Sequence, residues 1–132
     1  MTMDLNCDMG ELEDGAHEAA LMQYITSANI ACGAHAGDES TMERTARLAL
    51  ENGVRIGAHP SFPDRANFGR LEMDLPSEEI ERTVREQIER LERVVHRLGA
   101  RITHVKPHGA LYNMAARDER VARAIGLAVA AW

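Results

Sequence analysis

Lysine, histidine and carboxylate side chains gather at four places in this chain, each time after a short apolar run. Lys106 and His108 flank Pro107, just beyond Ile102-Thr103-His104-Val105. His59 precedes Pro60, beyond Val54-Arg55-Ile56-Gly57-Ala58. His35 and Asp38 lie in the glycine-punctuated loop Cys32 to Asp38. Asp8 closes Asp4-Leu5-Asn6-Cys7, and Asp64 follows His59 in a long connection. Carboxylates and imidazoles brought together in a partly dry cleft do acid–base work. A lysine closing a buried strand is costly without a task or a partner. As a point charge, Lys106 suits a carboxylate or a developing oxyanion.

Each residue also has a purely structural reading. Lys106 could form an ion pair with Asp8 or Asp4, Asp38 could cap the next helix, and the histidines could be hydrogen-bonded loop residues. His104 shares the strand face of Lys106 one layer deeper, which makes it a supporting group. His17 and His96 fall in helical stretches and read as surface residues. Cys7 points to the helix side of its strand, so packing explains it better than nucleophilic chemistry. A different chemistry is open to Asp8, His35 and His59: two imidazoles and a carboxylate form a metal set with an open position. Asp8 is the best acid, because strand alternation aims it to the same side as Asn6 and Asp4.

The elements that must position these groups alternate strictly. Strands are predicted over Asp4–Asp8, Thr26–Ala31, Val54–Ala58 and Ile102–Lys106, the last ended by a proline that cannot donate to a ladder. Ser27, Asn29 and Ala31 share one face of the second strand, and Ala28 and Ile30 the other. Helices are predicted over Ala16–Tyr24, then from an N-cap at Ser40 with Glu43 reaching back to Leu50 or Glu51, with Met42, Ala46, Ala49 and Leu50 inward. The best helix starts at Pro76-Ser77, carries the stripe Ile80, Val84, Ile88, Leu91, Val95 and Leu98, and stops at Gly99. Its pairs Glu78–Arg82, Glu81–Arg85, Glu86–Arg90 and Glu89–Arg93 are spaced for a solvated, ion-paired face. A last helix is capped by Asp118 and turns Val121, Ile125, Ala128 and Trp132 to one side.

Strands alternating with helices imply a parallel sheet with right-handed crossovers. Each strand is too polar on one face for a sheet sandwiched between two helix layers. A (β/α) barrel fits better, with Asp4, Asn6, Ser27, Asn29, Gly57, His59, His104 and Lys106 facing inward. Such barrels carry their sites at the C-terminal strand ends, where all the polar clusters fall. About four β-α units are too few to close a barrel of eight. The chain, 1–132 as one domain, is therefore expected to be the N-terminal part of a longer barrel, or to hide its sheet edge by self-association as a homo-oligomer.

Composition narrows the function classes. With aromatics at 4% and hydrophobics at 45%, the core must be aliphatic. A net charge of −6 offers no basic nucleic-acid surface. No run approaches a membrane span, and Met1-Thr2-Met3-Asp4 opens no signal peptide. The two cysteines, Cys7 and Cys32, are then expected as reduced thiols in the cytoplasm. No Walker-type phosphate loop, G-x-S-x-G elbow or C-x-x-C pattern occurs. Any ATP is expected to be bound elsewhere.

The motifs themselves go further than their spacing. Asp4 to Glu11, Ser27 to Gly33, His35-Ala36-Gly37-Asp38, Gly57-Ala58-His59-Pro60-Ser61-Phe62-Pro63-Asp64, Phe68-Gly69-Arg70 and Lys106-Pro107-His108-Gly109-Ala110-Leu111-Tyr112-Asn113 closely resemble, in order, the lactam-utilisation LamB/YcsF family. Ala34 stands where members often have Phe, and Asn67 where Gly is common. Members are also longer, with further acidic and arginine-containing blocks. The resemblance implies a β/α barrel of the glycoside hydrolase/deacetylase type. It implies a part in ATP-dependent opening of 5-oxo-L-proline to L-glutamate, with ATP handled by the partner 5-oxoprolinase subunits B and C. On that reading Asp8, His59, Lys106 and His108 are catalytic. Asn6, Asn29, His35, Asp38, Asp64 and Tyr112 bind the substrate. The rivals are a metal-dependent deacetylase-like hydrolase using Asp8, His35 and His59, and a scaffold subunit inert alone.

Overall fold

Strands that are apolar on one face only need one helix layer, and they receive one. The computed structural model describes residues 3–132; Met1 and Thr2, part of the segment read for an export signal, lie outside the described residues. The order is β1 (Asn6–Met9), α1 (Ala16–Met22), β2 (Ser27–Ala31), α2 (Glu39–Glu51), β3 (Arg55–His59), a 3-10 turn (Arg65–Asn67), α3 (Ser77–Arg97), β4 (His104–Val105), α4 (Gly109–Ala115) and α5 (Glu119–Ala130). The strands pair in parallel and in chain order, β1-β2-β3-β4, as successive staves of a barrel do. In register, Asn6 stands beside Ser27, Asn29 beside Gly57, and Gly57 beside His104.

Alternation along each strand sorts the two faces. Met9, Ala28, Ile30, Ile56 and Ala58 are buried on the helix side with Met42, Ala46, Ala49, Val84, Ile88 and Leu91. Burying each such Val, Leu or Ile contributes roughly 1.5–3 kcal/mol. The α3 stripe is inward as predicted, except that Leu98 is only partly covered and Val94 and Gln87 join it.

Several boundaries differ from expectation, each for a local reason. β4 is two residues long, not five. Its ladder fades outward through Thr103 N–H to Ile56 O and Lys106 N–H to Ala58 O, and Pro107 has no N–H to extend it. The cap of α2 is Asp38, not Ser40: Asp38 Oδ1 accepts from Thr41 N–H at 2.8 Å, so the helix begins at Glu39. Leu50 then turns out to solvent, and Leu48 packs in its place. Asp118 caps α5 as predicted, but Trp132 past its end is 42% exposed. α4 is an additional helix, begun where the chain turns after His108. Of the ion pairs foreseen on α3, Glu81–Arg85 and Glu89–Arg93 form among the described residues, and Glu79 meets Arg82. Arg90 instead reaches the Gly33 turn, where an added Cβ would lie 2.8 Å from its Nη1.

One buried carboxylate was not foreseen. Glu18, on α1, is 4% exposed. Its Oε1 accepts from Gly10 N–H at 2.5 Å and its Oε2 from Thr45 Oγ at 3.0 Å. It thereby fixes the turn after β1 against α2, and Glu11 is the next residue along.

Among the described residues no helix is long and apolar enough to cross a membrane.

Candidate active site at the strand ends

The polar face of the sheet is built in layers. In the lowest, Asp4 Oδ1 takes Arg55 Nη2 at 2.6 Å, beside Ser27. Hydrogen bonds from Ser27 and Thr26 hold the Asp4 carboxyl down to about 2. In the middle layer the Asn29 amide donates to Asn6 Oδ1 and to Asp8 Oδ1, both at 2.9 Å, and His104 Nε2 lies 2.9 Å from Asn29 Oδ1. His104 reaches β2 across β3 because Gly57 has no side chain: a Cβ there would fall 2.2 Å from His104 Nε2. Burial lowers the His104 pKa, and the nearby Arg55 adds to this.

The upper layer holds the groups with chemistry. Lys106 Nζ donates to Asp8 Oδ1 at 2.7 Å, and His59 Nε2 lies 3.4 Å from Asp8 Oδ2. Lys106 is the only lysine in the sequence, among fifteen lysines and arginines. Burial raises the Asp8 carboxyl, but the His59 ring, the Lys106 ammonium and the Asn29 amide more than offset it and hold it well below the usual carboxylate range. These residues, with His108 and the half-exposed Tyr112, line an open cavity of about 320 Å³. Larger surface cavities of about 470 and 520 Å³ lie along the charged faces of α3 and α5, away from the strand ends.

Behind this cavity three buried imidazoles meet one carboxylate. His35, His59 and His108 are 1%, 1% and 7% exposed. His59 Nε2 lies 3.0 Å from His108 Nδ1, and Glu11 Oε1 lies 3.0 Å from His35 Nε2, 3.5 Å from His108 Nδ1 and 3.8 Å from His59 Nε2. One ligand atom from each of the four residues falls within 4.8 Å of the others, a set that could hold a metal. Each ring is oriented by its remaining nitrogen. His59 Nδ1 meets Lys106 O at 2.6 Å, His108 Nε2 meets Phe68 O at 2.8 Å, and His35 Nδ1 meets Ser61 Oγ at 3.0 Å.

The supports of these rings come from loops and from α3. Phe68 has φ +55°, a left-handed conformation uncommon outside glycine. Its carbonyl is the one that accepts from His108. Gly69 (φ +64°) and Gly109 (φ +56°) let the two loops touch, since a Cβ on Gly109 would stand 2.5 Å from Gly69 O. Ser61 is pinned by Gln87, which accepts from Ser61 N–H at 3.0 Å and donates to Ser61 O at 2.8 Å.

The sequence-predicted residues therefore divide. Asp8, His59, Lys106, His108 and Tyr112 line the cavity, and Asn6 and Asn29 lie in the layer below, with Asn29 donating to Asp8. His35 stands apart from the cavity lining, against Glu11 and Ser61. Asp38 and Asp64 both cap: Asp64 Oδ1 accepts from Asn67 Nδ2 at 2.8 Å, and Asp38 caps α2. Asp38 also lines a second cavity of about 250 Å³, with Glu11 and His35, on the other side of the imidazoles. Of the anticipated metal set, His35 and His59 fall in this four-residue group with Glu11 and His108, whereas Asp8 lies outside it, its Oδ1 taken by Lys106 and Asn29 and its Oδ2 facing His59. Glu11 is out of step with the polar alternation Asp4, Asn6, Asp8, so strand parity does not point to it; its signal is Gly10 (φ +72°), a left-handed turn directly before it.

The family model described as the LamB/YcsF family matches residues 3–132. The crystal structure of a lactam utilization protein from Thermus thermophilus is similar with a TM-score of 0.95 and 46% identity, over 99% of this chain and 54% of that one. The chain thus spans about half the length of that protein.

Proposed function

Because the chain belongs to the LamB/YcsF family, we propose that it serves lactam utilisation as a subunit of an ATP-dependent 5-oxoprolinase, opening 5-oxo-L-proline to L-glutamate. The observation that carries this reading is the family match along residues 3–132. The likeness to a lactam utilization protein supports it. So does a cavity of about 320 Å³ with one ammonium and one carboxylate at the strand ends, a size suited to a small ring.

A five-membered lactam is an unstrained amide, and water attacks it slowly. In the proposed sequence the γ-phosphoryl group of ATP is transferred to the ring carbonyl oxygen and ADP leaves, chemistry assigned to partner subunits B and C. Water then bonds to the activated carbon and gives a proton to Asp8. Collapse breaks the ring C–N bond, the nitrogen takes that proton, and a second water releases phosphate from the acyl phosphate. Lys106 steadies the substrate carboxylate or the oxyanion, and His108, held to Phe68 O, lines the cavity beside it. Asn6 and Asn29 fix the floor of the ring site. The low pKa of Asp8 keeps it ionised at working pH and makes its acid form a ready donor to the departing nitrogen.

The test is glutamate formation from 5-oxoproline and ATP, with the chain mixed with candidate subunits B and C beside a C-terminally extended version. Glutamate from either supports the reading. Glutamate from neither, with the partners shown competent, overturns it.

A further inference from the structure

We propose that Glu11, His35, His59 and His108 bind one divalent ion of the late first-row transition series, of the zinc type.

The argument starts from where the protons are. A backbone carbonyl only accepts, so His59 Nδ1 must carry the proton it gives to Lys106 O, and His108 Nε2 the one it gives to Phe68 O. Ser61 Oγ donates to Phe62 O at 2.9 Å, so it accepts from His35 Nδ1–H. All three tautomers are thereby set. With the rings neutral, the remaining nitrogens, His59 Nε2, His108 Nδ1 and His35 Nε2, each present a lone pair inward, and His59 Nε2 also lies 3.4 Å from the Asp8 carboxylate, so a proton or a metal ion must sit among them.

Two of these lone pairs face each other across 3.0 Å, and the third faces the Glu11 carboxylate at 3.0 Å. Four acceptors turned on one another in a buried space repel unless a cation sits among them. Burying them that way costs free energy without such a partner. Imidazole donors with one carboxylate suit zinc-type ions; magnesium and calcium take oxygen sets.

The spacing agrees. Metal–ligand bonds of about 2.0–2.1 Å in a tetrahedron put neighbouring ligand atoms about 3.3–3.4 Å apart. The contacts between Glu11 and the rings run from 3.0 to 3.8 Å, and all four atoms lie within 4.8 Å. His35 and His108 are stacked, with centroids 3.8 Å apart and planes 6° apart. Drawing both nitrogens to one ion tilts these rings off parallel. The outer hydrogen bonds to carbonyls and to a serine are the supports that metal-ligating histidines use. A bound ion would lie between the two cavities, its four protein ligands completing the tetrahedron and tying together the ends of β1, β2, β3 and β4.

This inference is independent of the lactam reading, since it is read without substrate, ATP or partners. The purified chain is stripped with a chelator, dialysed and titrated with Zn²⁺ against a chromophoric competitor, and with Co²⁺ followed by visible absorption. The expected result is one tight equivalent and an intense tetrahedral Co²⁺ band. Glu11→Gln and His59→Ala should lower affinity by more than the roughly 10–100-fold that loss of an outer hydrogen bond costs. Ser61→Ala, which keeps all four ligands, should fall within that 10–100-fold range. His17→Ala and His96→Ala should change nothing. If His59→Ala fails to fold by circular dichroism, Glu11→Gln and Ser61→Ala decide. No saturable binding, or binding unmoved by the ligand variants, would overturn the proposal and leave a shared proton between His59 and His108.

Discussion

Lys106 Nζ donates to Asp8 Oδ1 across 2.7 Å, although β4 and β1 are the two outer strands of the sheet. Strands lie about 4.8 Å apart, so in a flat sheet these two would be about 14 Å apart. The ion pair therefore records a sheet curled around its polar face, as in a barrel wall. It also closes the cavity where the site is placed.

Breaking this pair tests the proposed chemistry. In an assembled, active 5-oxoprolinase, Lys106→Met and Asp8→Asn should each cut the rate of glutamate formation by about 100-fold or more. An Asp8→Asn enzyme with full activity would remove Asp8 from the proton path. Because Lys106 is the only lysine, amine acylation of the native chain reports on it alone beside the N-terminus. Substrate protection of that amine would place the ligand.

Acid titration tests the same pair by another route. The folded pKa of Asp8 is depressed, so its contribution to stability is present above the unfolded value of about 3.9 and is lost as pH falls through the lower folded value. Between pH 5 and 7 this contribution should be flat. The stability difference between wild type and Asp8→Asn, measured by urea unfolding, should shrink only below about pH 4. A difference that already shrinks between pH 7 and 5 would rule out a depressed Asp8.

Gly57 is required by shape. A methyl group at this position would fall 2.2 Å from His104 Nε2 and force that ring off Asn29. Gly57→Ala should destabilise the chain by about 1–3 kcal/mol in chemical denaturation. In Gly57→Ala/His104→Ala the coupling should recover part of that loss. Simple additivity of the two changes would show that the ring had room to move.

Glu18 links the fold to the site. Glu18→Ala leaves the buried Gly10 N–H and Thr45 hydroxyl without their acceptor and should cost about 1–3 kcal/mol. It should also weaken Zn²⁺ binding in the titration above, because Glu11 follows the turn that Glu18 holds. Unaltered metal affinity in a folded Glu18→Ala chain would show that Glu11 finds its place without this support.

The cysteines should be inert. Burial pushes the Cys32 thiol up to about 12, and burial together with Asp8 and Glu11 raises Cys7. The thiolate is the reactive form. At pH 8 neither should react quickly with a thiol reagent until urea unfolds the chain, when both should. Fast labelling of native Cys7 would contradict this.

Local order was legible where it decides the outcome by itself. Alternation in Asp4 to Asp8 and Ser27 to Ala31, the apolar stripe from Ile80 to Val95, and the stops at Gly99 and Pro107 are one-dimensional signals, and they placed the strands, the long helix and the polar face. They also placed Asp8, Asn29, His59 and Lys106 on one side, because strand parity carries direction. The family motifs were equally plain.

Partnership was not legible. Asp38 rather than Ser40 caps α2, because the first turn depends on which carboxylate finds Thr41 N–H. Glu11 joins His35, His59 and His108 through a left-handed Gly10 turn pinned by Glu18, a residue on another element. Gln87 reads as part of a helix face until Ser61 is seen against it. By itself the sequence determined the parallel α/β order, the polar strand face and the kinds of group available to do chemistry. Only the tertiary structure decided which groups meet and which ring nitrogens turn inward, because those depend on sheet curvature and on carbonyls and side chains far away along the chain.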